Sequence, residues 1–411
     1  MTAAMTTVNP AANPAANLAA AHAAAHATAL ARLDALPRER LGLLPTPLSP
    51  VPQLARAIGV ADLWIKHDEL IGFGFGGNKV RGLELLIGDA REQGADVVVT
   101  GAGAQSNHVR ATAAAAAHAG MEAVAAYWGV EPRIAQGNLM LTRLLGAHTR
   151  FSNNADRAQV DVAINDIAAE LRGAGRRPYA IPRGGACALG VLGHVLAARE
   201  LLQQCELLGL RPGTIWLAVG SGGTLAGWLL GTALLGAPWR VEGVTVSRPA
   251  DEVRARVALL AAQAAQLLGV KVPIAPSDIV VHDGFIGAGY GIATPAGDAA
   301  IQLAARCQGL FFDPTYTGKA FAGLAAVTAS AARGARDAHD AREARDAHDT
   351  HDAHDTHDAH DTHDASDASD ARDAQDDLRN RGPIVFLHTG GEPALFADAR
   401  KEPTPHPGAT P

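Results

Sequence analysis

The sequence predicts an α/β fold in which a mostly parallel sheet is buried under helices. Three observations predict it. Ala, Gly, Val and Leu dominate the 411 residues while aromatics make up only 4%, a balance that suits a helix-covered sheet better than a β-sandwich. Short, almost wholly apolar segments stand at 96–100 (DVVVT), 214–219 (TIWLAV) and 383–387 (PIVFL), as expected of strands covered on both faces. The first two run directly into a glycine turn and then a helical pattern, the geometry that places ligands at the carboxyl ends of parallel strands. The length allows two domains or one large unit with an ample core.

Charge and cysteine content narrow the class. The formal charge of −7 is uneven: residues 336–377 carry 14 Asp and one Glu against four Arg, a net −11, which leaves the rest of the chain near +4. That remainder is too weak and scattered for nucleic acid. Cys187, Cys205 and Cys307 show no zinc or disulfide rhythm, and a reduced, cytoplasmic chain is expected. No Lys or Arg precedes Arg32, no signal-peptide core is visible, and no run of about 18 apolar residues suggests a membrane span.

Taken in order, residues 1–31 read as a disordered Ala-rich tail, broken by Asn9-Pro10 and Asn13-Pro14 and able to form at most a loose turn or two. An extended, proline-fixed lead-in follows at 44–48, then a strand at 61–66 (ADLWIK). The stretch 72–79 holds four glycines in six residues ahead of Asn78 and Lys79, so its backbone can turn tightly and approach a flat ligand. A helical pattern follows to about residue 93. A lysine presented this way can form a Schiff base where burial or a neighbouring cation lowers its pKa; it can equally be a solvated lysine after a turn.

Strand 96–100 empties into Gly101–Gly103 and then Gln105, Ser106, Asn107 and His108, with a helix over 109–118. Ser106 and Asn107 are placed either to meet a ligand or to cap that helix. A strand at 123–128, helices at 135–146 and 156–173, a second glycine loop at 184–190 and an amphipathic helix at 191–208 follow. Strand 214–219 runs into Gly220, Ser221, Gly222, Gly223 and Thr224 and a helix from Leu225. This is the best anion-binding signal in the chain, with successive amides, two hydroxyls and a helix N-terminus. It lacks the lysine of a nucleotide-binding P-loop and the distal acid of a dinucleotide fingerprint. A single phosphate monoester on a small cofactor fits it.

A strand at 241–246 follows, then Tyr290 between Gly289 and Gly291, then a tight turn holding Tyr316, Thr317, Gly318 and Lys319 ahead of a helix from Ala320. Residues 334–377 repeat Asp/His triplets with no apolar side chain larger than alanine and read as a disordered insertion. Seven of the 17 histidines lie there; a solvated spacer is the reading, with weak metal buffering the alternative and no metal site assigned. The fold resumes at 383–387 and ends in His388, Thr389, Gly390 and Gly391.

Together and in order, GGNK, QSNH, GSGGT, DPTYTGK and HTGG resemble the D-cysteine desulfhydrase and 1-aminocyclopropane-1-carboxylate (ACC) deaminase family, over roughly residues 40–330 and 383–397. The resemblance implies two open, twisted, mostly parallel sheets covered by helices, the tryptophan synthase β-like fold type II of pyridoxal 5′-phosphate (PLP) enzymes. Residues 32–81, 183–333 and 378–411 would form the larger, PLP-binding domain and 82–182 the smaller one. It implies that Lys79 carries PLP, with Asn78 beside it, and that Asn107 meets the ring hydroxyl. Gly220, Ser221, Gly222, Gly223 and Thr224 would take the phosphate. Ser106, Asn107 and His108 would face the substrate, with Ser106 on its carboxylate and Tyr290 and Tyr316 on the substrate side of the ring. Thr389 is expected at the ring nitrogen, with Thr317 in reserve. A homodimer is the family expectation.

PLP is an electron sink, and a neutral hydroxyl at its ring nitrogen favours expulsion of a β-leaving group over a long-lived carbanion. ACC deaminases carry a glutamate where this chain has Thr317, which favours D-cysteine desulfhydrase: D-cysteine to pyruvate, sulfide and ammonia. His67, Gly82, Arg183 and Cys187 depart from the family pattern. An arginine near a substrate loop suits a second anionic group, so sulfite release from L-cysteate stands as an alternative beside ACC deamination. The non-enzyme alternative is an inactive PLP-fold protein with a metal-buffering tract.

Overall fold

Apolar strands alternating with helices resolve into two sheets. The structure, a computed structural model, describes residues 14–331, 333 and 382–397. The larger sheet runs in the order β1 (Leu48–Pro50), β2 (Leu63–His67), β10 (Ile384–His388), β7 (Thr214–Val219), β8 (Arg240–Thr245) and β9 (Val280–His282). The smaller runs β5 (His148–Phe151), β4 (Glu122–Tyr127), β3 (Val97–Ala102) and β6 (Pro178–Ala180). Every pairing is parallel except that of β1 with β2. The two mostly parallel sheets expected from the sequence are what the chain forms. The expected insertion at 334–377 and tail residues 1–13 lie outside the described residues.

Helices cover the sheets: α1 (Pro14–Asp34), α2 (Pro52–Ile58), α3 (Lys79–Glu92), α4 (Asn107–His118), α5 (Gly137–Leu144), α6 (Gln159–Gly173), α7 (Ala188–Leu208), α8 (Gly223–Leu235), α9 (Ala250–Leu267), α10 (Pro295–Gln308) and α11 (317–331). No described helix is long and apolar enough to cross a membrane. The stretch 14–31, expected to be a disordered tail, belongs to α1. Alanine is the best helix former, and Pro14 stands at the first helical position, where its missing N–H costs nothing. Ala29 and Leu33 are buried in the larger core, and Arg32 donates to the Leu268 carbonyl at 2.9 Å.

The helix that starts at Lys79 is held from behind by a buried polar network. Arg81 grips Asp68 with two hydrogen bonds of 2.8 and 2.6 Å and also reaches Glu200. Burial alone would raise the Asp68 carboxyl, but the Arg81 guanidinium outweighs it and holds it below the usual range. Gly82 brings α3 against α7: a Cβ there would lie 2.7 Å from the Gly190 carbonyl oxygen. That accounts for Gly82 among the departures noted above, since any longer side chain would push the helices apart. His67, another of them, has Ser49 Oγ at 2.7 Å from its Nε2.

Four strand ends meet at the cleft between the sheets. β2 leads through the glycine turn to α3, β3 to α4, β7 to α8, and β10 to Thr389. β10 is late in the chain yet central, with Ile384 opposite both Leu63 and Thr214.

Candidate active site

Lys79 is delivered by a backbone turn in which Gly74, Phe75, Gly76 and Gly77 all have positive φ (52°, 72°, 71° and 102°). The turn is pinned at several points. Gly77 N–H donates to the Asp68 carbonyl at 2.9 Å and Asn78 N–H to the Thr389 carbonyl at 3.1 Å. Arg110, buried on α4, donates to the carbonyls of Gly74 and Gly76. Among the described residues the Lys79 ammonium reaches only the Gly184 carbonyl, at 3.2 Å. Burial pushes its pKa down to about 8, and no carboxylate lines the surrounding cavity among the described residues. Far more of such a lysine is neutral, hence nucleophilic, near physiological pH than of an ordinary one, though the protonated form still predominates below about pH 8.

Opposite the lysine, β7 ends in Gly220, Ser221 and Gly222, and α8 begins at Gly223. Amides and hydroxyls there face the same cavity as Lys79, at the N-terminus of a 13-residue helix, a ready anion site. Asn78 Nδ2 donates to Thr224 Oγ1 at 3.0 Å, tying the lysine turn to this loop. Arg256 Nε donates to the Ser221 carbonyl at 2.8 Å and Ser247 Oγ to that of Gly220 at 3.0 Å.

The third wall is α4. Ser106 is its N-cap, accepting from Val109 N–H at 3.3 Å, and it also lines the cavity, so the capping role does not take it away from the cavity. Asn107 Oδ1 accepts from Asn138 Nδ2 at 2.9 Å, which leaves the Asn107 N–H groups for the cavity. Thr100 Oγ1 donates to the Ile181 carbonyl and lies 3.0 Å from His108 Nε2, so the His108 proton sits on Nε2 and its Nδ1 lone pair is left over. Burial, with Lys79 adding to it, lowers the His108 pKa to about 3. This imidazole is a neutral acceptor.

Tyr290 and Tyr316 join hydroxyl to hydroxyl in a short hydrogen bond. Burial first, then Tyr290, raises the Tyr316 phenol well above its ordinary value. Tyr290 is also raised by burial, but Arg157, whose guanidinium lies 4.5 Å from its ring centroid, acts against that rise. Thr389 lines the cavity and Thr317 does not. The Thr317 hydroxyl accepts from Asp313 N–H at 2.7 Å and donates to Asp313 Oδ1 at 2.8 Å, so the reserve position at a ring nitrogen goes to a turn-forming contact instead.

The structure thus brings Lys79, Asn78, Ser106, Asn107, His108, Gly220, Ser221, Gly222, Thr224, Tyr290, Tyr316 and Thr389 to one cavity, with Gly223 between two of them. Trp128, Arg157, Arg248 and Arg256 also line it and were not anticipated. Arg248 and Arg256 follow the carboxyl end of β8, where a strand-end rule could have found them; Arg157 stands in a polar loop with no local signal.

These residues fit PLP. There is a buried amine without an acidic partner for the aldehyde, and a cradle of amides and hydroxyls for the phosphoryl group. Between them lies a slot so narrow that a Cβ on Gly220 would come within 2.9 Å of the Tyr316 ring. The family profile described as "Pyridoxal-phosphate dependent enzyme" matches residues 39–338. The chain is 40% identical over 294 residues (72% of this chain, 87% of the relative) to a Pyrococcus abyssi protein provisionally named 1-aminocyclopropane-1-carboxylate deaminase. It is 35% identical over 374 residues (90% and 98%) to the D-cysteine desulfhydrase of Salmonella typhi. The crystal structure of an ACC deaminase homologue superposes with a TM-score of 0.73 at 34% identity, covering 90% of this chain and 96% of that one.

Proposed function

The chain belongs to the pyridoxal-phosphate-dependent enzyme family, and from that premise we propose that it is a β-eliminating lyase that converts D-cysteine to pyruvate, sulfide and ammonia. The observation that carries this reading is the absence of any carboxylate from the cavity wall among the described residues, with the Thr317 hydroxyl committed to Asp313. A neutral Thr389 left to face the ring nitrogen supports elimination over chemistry that needs a long-lived carbanion. The relative named D-cysteine desulfhydrase, matched over nearly its full length, supports the same choice.

Bound here, the cofactor supplies the electron sink that acidifies the substrate Cα–H. Lys79, with its lowered pKa, is the group to take that proton. Ser106 and the free Asn107 N–H groups hold the carboxylate, and His108 offers an acceptor beside them. Tyr290, the phenol nearer Arg157, is the donor to the departing sulfur, with Tyr316 holding its hydroxyl in place. Tyr290→Phe is expected to lower kcat on the order of 10²-fold with KM within a few-fold; a fall in KM-dependent binding alone would remove Tyr290 from the proton path. The functional test is a panel of D-cysteine, L-cysteine, L-cysteate, D-serine and ACC, assayed for pyruvate, sulfide, sulfite and 2-oxobutyrate. Sulfide and pyruvate from D-cysteine support the reading; 2-oxobutyrate from ACC as the dominant product overturns it.

A second reading, a substrate with an anionic β-substituent such as cysteate, is favoured by the arginines. Arg157, Arg183, Arg248 and Arg256 all line the cavity; their acidic partners, Asp161 at 2.9 Å and Glu252 at 2.9 Å, lie on the outer side. The Nε atoms of Arg157 and Arg248 are buried with no partner among the described residues. If this reading holds, Arg157→Met costs cysteate about tenfold in kcat/KM and D-cysteine less than about twofold; equal losses remove it. A cytoplasmic homodimer belongs to the same proposal: the three free cysteines support a reducing compartment, and sedimentation tests the dimer.

A further inference from the structure

We propose that His194 is a positioning residue for the phosphoryl end of the cofactor, acting through the hydroxyl of Thr224. The inference rests on PLP as cofactor and is independent of which amino acid is consumed. His194 lies on α7, buried, against α8: a Cβ added to Gly227 would fall 2.5 Å from the His194 Cβ, so the two helices leave the ring little freedom. Its Nε2 is 3.4 Å from Thr224 Oγ1, and its Nδ1 is buried with no partner among the described residues.

The missing partner decides the tautomer. A buried N–H without an acceptor costs more than an unused lone pair. The proton therefore sits on Nε2 and points at Thr224. Asn78 Nδ2 donates to the same oxygen at 3.0 Å. A hydroxyl has two lone pairs and one proton, so with both lone pairs engaged Thr224 is left as a donor only. It lines the cavity beside Ser221 and Gly222, where a phosphoryl oxygen, which only accepts, answers it. Burial, then Lys79, lowers the His194 pKa to about 3; the imidazole contributes direction rather than charge. Because Asn78 precedes Lys79, the same oxygen also links the phosphoryl end to the lysine turn. No sequence motif marks His194.

Two amide substitutions separate this role from packing. The side-chain N–H of glutamine reaches where Nε2 stands, whereas that of asparagine reaches only to Nδ1. Cofactor is resolved from the holoenzyme and titrated back, with PLP and with pyridoxal, which lacks the phosphate. His194→Gln is expected to bind PLP within about twofold of the parent, and His194→Asn about tenfold more weakly, while both bind pyridoxal as the parent does. In a Thr224→Val background, His194→Asn adds less than about twofold, the non-additivity of groups that act together. Equal losses for Gln and Asn, an equal loss for pyridoxal, or additive losses in the Thr224→Val background would each overturn the proposal. A parent protein that binds neither aldehyde would instead remove the cofactor premise.

Discussion

Lys79→Met is expected to lower pyruvate release by about 10³-fold or more while the protein stays folded, because it removes both the covalent anchor and the base for Cα–H. The substitution keeps volume and removes a charge that the fold tolerates at a cost. The folded-state pKa of Lys79 is about 8 against an ordinary 10.5, through burial. Below pH 8 the unfolded and folded chains both carry the proton, and the full desolvation cost, about 3 kcal/mol, weighs on the folded state. Between pH 8 and 10.5 the folded chain has lost the proton while the unfolded chain still holds it, and the cost fades. Thermal unfolding of the cofactor-free proteins should therefore show Lys79→Met more stable than the parent at neutral pH, with the gap closing as pH approaches 10.5. A constant gap, or none, contradicts the burial of an amine that has no acidic partner.

Gly76→Ala should be the most damaging single methyl in the turn. Its Cβ would fall 1.9 Å from the Glu69 carbonyl oxygen, at a φ of +71°. Backbone, unlike a side-chain tip, cannot swing away, and a loss above about 3 kcal/mol is expected. The displacement runs directly into Asn78 and Lys79, so cofactor retention falls with stability. Gly59 is the control: its φ is +74° but a Cβ there meets nothing within 4 Å, and Gly59→Ala should cost only about 1 kcal/mol. Calorimetry of both, with absorbance of retained cofactor, checks the pair. Similar melting for the two variants would mean that the Glu69 contact is not what holds the turn.

Where local chemistry decides structure, the sequence was readable. β7 coincides with the predicted 214–219 because six successive residues are buried on both faces, and the three-residue β6, opening on a proline, offers no such pattern. α1 escaped for a different reason: it rests on alanine propensity and a few buried contacts such as Ala29 and Leu33, without an apolar stripe to see. In the site, residues in turns after strands were legible, since strand, glycine and helix N-terminus are consecutive in the chain. Arg110, Asn138, Arg157 and His194 were not, because each acts on a residue tens of positions away in the chain, on another element that it meets only in the folded structure. Thr317 shows the opposite error. It stands in the right motif, yet its hydroxyl is taken by an aspartate four residues earlier.

The account depends most on which amine carries the cofactor. Reduction of the PLP-loaded protein with borohydride, digestion and mass mapping of the pyridoxyl label tests it directly. The label is expected on Lys79 alone; label on Lys66 or Lys319, both already engaged with carbonyl oxygens, or an unlabelled protein, would contradict it.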